Sequence, residues 1–117
     1  INMKESMKTL KFRPNLVQKI LDGSKTVTWR LFDDKNLQEG DMFDLINWGT
    51  REKFAEGKII KLREKRMGDL TEIDFEGHEK YEDQEEMLKY YRNYYGDKVN
   101  QDTSVKIIVF KILKKLN

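Results

Sequence analysis

Residues 25–30 read Lys-Thr-Val-Thr-Trp-Arg and follow directly on Leu-Asp-Gly-Ser. An amine, two hydroxyls and a guanidinium therefore fall within six residues. Converging on one cleft, they would form a dense set of polar donors and acceptors. Facing solvent, they would be an ordinary surface strand in which threonine is a good strand former. In an extended chain Thr26, Thr28 and Arg30 share one face, and Val27, Trp29 and Leu31 share the other, apolar one. Strict alternation puts Lys25 with Val27. It joins the polar face only if the strand begins after it, and Gly23 allows the sharp turn that this requires.

Other residues can also carry chemistry. Trp48 follows a strand-like segment in a turn, where it either stacks on a base at the mouth of a cleft or caps the end of a barrel. Tyr90, Tyr91, Tyr94 and Tyr95 are of a type that stacks on bases, although their helical spacing favours the core. Lys58, Lys61, Arg63, Lys65 and Arg66 form either a phosphate track or a solvated face. His78 is the sole histidine, flanked by Glu76 and Glu79. A lone histidine in an acidic loop reads as solvated, so neither a metal nor a cofactor is expected. The chain has no cysteine, which excludes disulfides, thiolate metal sites and cysteine nucleophiles.

Net charge is only +2, but it is unevenly spread. Residues 69–86 carry nine acids against Lys80, a net of −8, and the remainder of the chain carries +10. A basic body with an acidic insert suits an anionic partner such as RNA; uneven surface charge is the plainer alternative. No run of apolar residues is long enough to cross a membrane. The opening INMKESMK has no apolar signal core. A cytoplasmic protein without a membrane partner is expected.

The elements that must position these residues follow from periodicity. Residues 8–13 alternate as a strand. After Pro14, Leu16, Val17, Ile20 and Leu21 mark one face of a helix closed by Gly23. Strands are expected at 26–31, 42–47 and 54–62, with Gly57 marking a bulge or tight bend. Asp69 with Glu72 suggests a capped short helix, and Asp83 with Glu86 the start of a longer one that ends at Gly96. Residues 105–113 are almost continuously apolar and predict an interior strand. The reading is one α+β domain spanning residues 1–117, with 1–6 flexible: a small mixed β-barrel of about five to six strands with peripheral helices.

Gly23, Lys25, Thr28 and Arg30 resemble the G-x-K-x-x-E-x-R motif of the ASCH domain family, whose fold is a PUA-like β-barrel. The surroundings match: LKFR and a helix ending ILDG before the motif, EGD after it, EG plus a helix in the second half, and an apolar last strand. Thr28 stands where that family usually has glutamate. Lys25-Thr26-x-Thr28-x-Arg30 is more similar to the small N4-acetylcytidine amidohydrolases within the same superfamily. The first resemblance implies recognition of RNA or a modified nucleoside, with Arg30, Thr26, Trp48, Lys61 and Arg63 as binding residues. The second implies an amidohydrolase with Lys25, Thr28 and a later glutamate as the catalytic set, Glu76 first and Glu79 as the fallback. There Thr28 would be the nucleophile and Lys25 its base, which needs a lowered pKa. A protein-interaction domain is the third alternative, suggested by the acidic insert.

Overall fold

A computed structural model describes residues 8–116; the expectation for residues 1–6 lies outside them. Among these residues the chain forms strand β1 (Lys8–Phe12), helix α1 (Pro14–Leu21), strands β2 (Val27–Leu31), β3 (Met42–Asn47) and β4 (Lys53–Arg66), two short 3-10 turns (Met67–Asp69 and Glu72–Phe75), helix α2 (Gln84–Tyr95) and strand β5 (Ser104–Lys115). Five strands make one mixed sheet in the order β1-β3-β4-β5-β2. Only β1 and β3 pair in parallel; the other neighbours are antiparallel. The sheet curls into a half-barrel whose two free edges are β1 and β2, giving the expected α+β class.

Local chemistry accounts for most boundaries. Proline opens α1, where its missing N–H costs nothing. Asp83 caps α2 by accepting from the Glu86 amide at 2.8 Å, and Gly96 ends the helix at φ 93°. At Gly57 the β4–β5 register shifts. A Cβ there would lie 3.0 Å from the Lys111 carbonyl and 3.1 Å from the Phe43 ring, so a side chain would push the sheet apart. Two expectations change. β4 runs on to Arg66, so the whole basic run is strand. Instead of the helix expected after Asp69, one 3-10 turn ends at Asp69 and a second is capped two residues later at Thr71, where the Asp74 carboxylate accepts from the Thr71 amide at 2.8 Å.

Apolar residues cover both faces of the sheet. On one face α1 lays Leu16 and Ile20 against Leu10, Phe12, Phe43, Leu45, Ile59 and Phe110. On the other, α2 lays Met87, Leu88 and Tyr91 against Val27, Trp29, Leu31, Val105 and Ile107. β5 serves both layers, with Ile107 in one and Ile108 and Phe110 in the other, as its continuous apolar run predicts. No helix among the described residues is long and apolar enough to cross a membrane.

Candidate functional site

The backbone that presents Lys25 is held from two sides. Its amide donates to the Lys19 carbonyl at the end of α1 (3.0 Å), after a left-handed turn at Gly23, φ 86°. The next two amides, of Thr26 and Val27, both donate to the carbonyl of Gly77 at 3.0 and 3.1 Å. β2 starts only at Val27. Lys25 is thus free of strand alternation and turns inward, to 3% exposure.

The Lys25 ammonium donates to the Val27 carbonyl and to Glu79 Oε2, each at 2.6 Å. Burial lowers its pKa to about 8 against the pull of Glu79, and the nearby Arg30 charge adds to the lowering. Burial acts to raise the Glu79 carboxyl, but His78 and Lys25 hold it below its ordinary value. His78 is not solvated. It stacks on Trp29 with ring centroids 3.9 Å apart, and its Nδ1 lies 2.9 Å from the Glu79 carbonyl. A carbonyl only accepts, so Nδ1 carries the proton, and Nε2 faces the Tyr91 hydroxyl at 3.4 Å. Burial, and then the Lys25 charge, lower the His78 pKa to about 4, so the ring is neutral at neutral pH.

Thr28 and Arg30 point to the opposite face of β2 from Trp29. Thr28 is 2% exposed, and its hydroxyl accepts from the Arg30 guanidinium. Arg30 also donates to the Trp29 carbonyl (2.8 Å) and, across the gap, to the Lys11 carbonyl of β1 (2.9 Å), with its guanidinium 5.0 Å from the Phe12 ring. β1 and β2 are the free edges of the sheet, so one arginine bridges the open seam of the half-barrel.

A cavity of about 180 Å³ lies in that seam. Thr28, Arg30 and Glu79 supply its polar wall; Phe12, Trp29, His78 and four tyrosines of α2 supply the aromatic one. Trp48 stands at its rim, 41% exposed and 6.4 Å from the Tyr94 ring. The Trp29 indole N–H is buried without an acceptor among the described residues.

The structure therefore gathers Thr28, Arg30, Trp48 and Glu79 around one cavity, with Lys25 bonded to Glu79. It leaves four other candidates outside. Glu76 is exposed, and Lys25 pairs with Glu79 instead. Thr26 is exposed and contributes backbone bonds. Arg63 is engaged by Asp74 at 2.6 Å, and Lys61 is exposed outside the cavity lining. A phosphate track through Arg63 has lost its cation to an internal ion pair. Sequence reasoning raised the tyrosines as base-stackers but ranked them as core first, and it read His78 as solvated. The signal for the former was the YYRNYY run itself.

No family model and no curated protein sequence matches the chain. Solved structures do. A protein of Enterococcus faecalis V583 from the family DUF984 superposes with a TM-score of 0.78 at 15% identity, covering 98% of this chain and 86% of that one. The ASCH domain of Lactobacillus crispatus JV V101 gives 0.71 at 16%, over 93% and 80%. The ASCH protein of Zymomonas mobilis gives 0.64 at 12%, over 93% and 71%. Identities this low speak to architecture alone, and on that evidence the chain has the fold of these ASCH-domain structures.

Proposed function

We propose that the seam cavity recognises a nucleobase, in RNA or as a modified nucleoside. The supporting observation is the combination of an aromatic wall with Glu79, Thr28 and Arg30 in one small space. Pockets for drug-sized ligands measure roughly 300–1,000 Å³; at about 180 Å³ this one suits a single flat ring. Stacking on aromatic side chains contributes about 1–3 kcal/mol per base. Glu79 can accept from an exocyclic amine, and the Arg30 guanidinium can donate to a ring carbonyl, a pairing that matches a cytosine-type edge. Titrating cytidine, N4-acetylcytidine and the other nucleosides against tryptophan fluorescence tests the reading. A cytidine-type ligand should quench Trp29 and Trp48, and Arg30→Ala should weaken binding at least tenfold. No response to any nucleoside or short RNA would refute it.

A second reading is favoured by the lowered pKa of Lys25. Near pH 8 a good fraction of that buried amine is neutral and able to take a proton. In an amidohydrolase on an N4-acylated cytidine, Thr28 Oγ1 would bond to the acyl carbon and pass its proton to Lys25. Lys25 would deliver it to the departing amine as the C–N bond breaks, and water would then release the acyl group from Thr28. The bond from Arg30 would stabilise the threonine oxygen as charge develops, and Glu79 would orient the amine. Mass spectrometry of acylated cytidines checks this. Turnover should rise through about pH 8 and vanish in Lys25→Ala and Thr28→Ala. Glu79→Gln should impair it more than Glu76→Gln.

A further inference from the structure

Most cations near the cavity are already committed. Arg30 bonds Thr28 and two carbonyls, Lys25 meets Glu79, Lys8 meets Asp41 and Lys106 meets Asp33. Lys11, on the free edge of β1, and Arg13, just beyond its end, are different. Both are exposed, both line the cavity, and neither contacts a carboxylate among the described residues. Both lean on the rim tryptophan: Lys11 Nζ and the Arg13 guanidinium each lie 5.8 Å from the Trp48 ring centre, and Arg13 sits 4.4 Å from that of Tyr94. Aromatic faces hold cations in place while leaving N–H groups directed outward. Among the described residues the one carboxylate lining the cavity, Glu79, is answered by Lys25. The mouth therefore carries two positioned positive charges with no anion among the described residues to meet them.

We propose that Lys11 and Arg13 form a phosphate site, binding the phosphate attached to the sugar whose base occupies the cavity. The ligand is then a nucleotide, free or within a strand, rather than a bare nucleoside. This rests on the nucleobase reading above and adds what that reading leaves open, the phosphate and the residues that hold it. Arg13 supplies a planar fork for two phosphate oxygens and Lys11 a point charge beside it.

The test titrates cytidine, cytidine 5′- and 3′-monophosphate and a cytidine-centred trinucleotide by tryptophan fluorescence, on the wild type, the double variant Lys11→Gln/Arg13→Gln and the reversal Lys11→Glu/Arg13→Glu. One monophosphate should bind about tenfold more tightly than cytidine to the wild type, the scale of a charge-assisted contact. The glutamine variant should abolish that preference while leaving cytidine affinity within about twofold, and the glutamate variant should invert it. Further tightening by the trinucleotide assigns the phosphate to a strand; none assigns it to a free nucleotide. Equal affinity for cytidine and both monophosphates in the wild type, or a preference that survives both variants, overturns the phosphate site alone. Absence of binding by all four ligands overturns the cavity reading with it.

Discussion

Asp74 and Glu79 belong to one acidic segment, five residues apart, and each meets basic side chains, Asp74 on β4 and Glu79 just before β2, yet the two clusters are built in opposite ways. At Asp74 the acid is the buried member, 2% exposed. Arg63 (2.6 Å), Lys65 (2.7 Å) and the Thr71 amide (2.8 Å) all donate to it from positions nearer to water. Burial opposes the charge, those donors overcome it, and the carboxyl falls to about 2. At the seam the cation is the buried member. Lys25 has one carboxylate and one carbonyl, and burial still wins, taking the amine down to about 8. A buried charge with donors to spare stays ionised and clamps the segment to β4. A buried charge with a single counter-ion can change protonation, which a site requires. Two of the segment's nine acids are thus answered inside the molecule.

The largest effect should come from removing the well-compensated acid. Asp74→Ala leaves two cations without their partner and uncaps the 3-10 turn. The half-exposed cations can return to water, so the cost is that of the lost charge-assisted hydrogen bonds and cap, about 2–4 kcal/mol, to be read from urea unfolding. The acid limb gives a second check. The folded pKa lies below the ordinary 3.8, so the stabilisation is complete above about pH 4 and is lost as pH falls towards 2. The variant should lose less stability over that range than the wild type, the remaining loss coming from carboxyls such as Glu79 and Asp33 that are also held below their ordinary values. A loss under 1 kcal/mol would show that the cluster does not clamp the segment.

Lys25→Met probes the other pair, with a different expected signature. The folded lysine gives up its proton at about pH 8, the unfolded one at 10.5. Between these values the unfolded state binds more protons, so stability rises with pH, by up to roughly 3 kcal/mol. Tyr81, Tyr90 and Tyr91, raised by burial, act in the reverse sense at higher pH, so the clean window is pH 8 to 10. Lys25→Met should abolish this rise and weaken nucleoside binding; at pH 7 the relief of the desolvated ammonium is set against Glu79 left without its counter-ion. A rise of the same size in the variant would mean that Lys25 keeps its proton.

The same contrast shows what a sequence can display. Elements whose cause is local were legible: Pro14 and Gly23 around α1, Asp83 and Gly96 around α2, and the apolar run of β5. The extension of β4 to Arg66 was hidden because its last residues are charged and half-exposed, and only pairing with β5 makes them strand. In the site, Thr28 and Arg30 followed from alternation, and Lys25 from noticing that Gly23 could free it. The choice between Glu76 and Glu79 did not follow, because it depends on where a loop docks. The tyrosines read as core for a sound reason: on a helix overhanging a sheet edge, the core face and the cavity wall are one face. His78 reads as solvated until Trp29, almost fifty residues earlier in the chain, is seen to stack on it.

That docking point, Gly77, gives the smallest effect on stability and the sharpest on the pair. Its φ of 79° favours glycine, and a Cβ there would collide with Thr26 Oγ1. Gly77→Ala should cost about 1–2 kcal/mol from the left-handed backbone alone. The Gly77 carbonyl also anchors the Thr26 and Val27 amides, and Glu79 follows two residues later. Any displacement loosens Glu79 from Lys25 and leaves Asp74, three residues before the turn, on its own anchors. Losing Glu79's pull should move the Lys25 pKa further down, which the side-chain NMR signal reports, with the Asp74 acid limb unchanged. Adding Thr26→Ala removes the hydroxyl in the way but not the strained φ, so the double variant should recover the Lys25 pKa without recovering all of the stability. If Gly77→Ala shifts both limbs together, the two ion pairs form one cooperative unit and the contrast between them fails. If it shifts neither, Glu79 is held by its own contacts with Lys25 and His78 rather than by the turn.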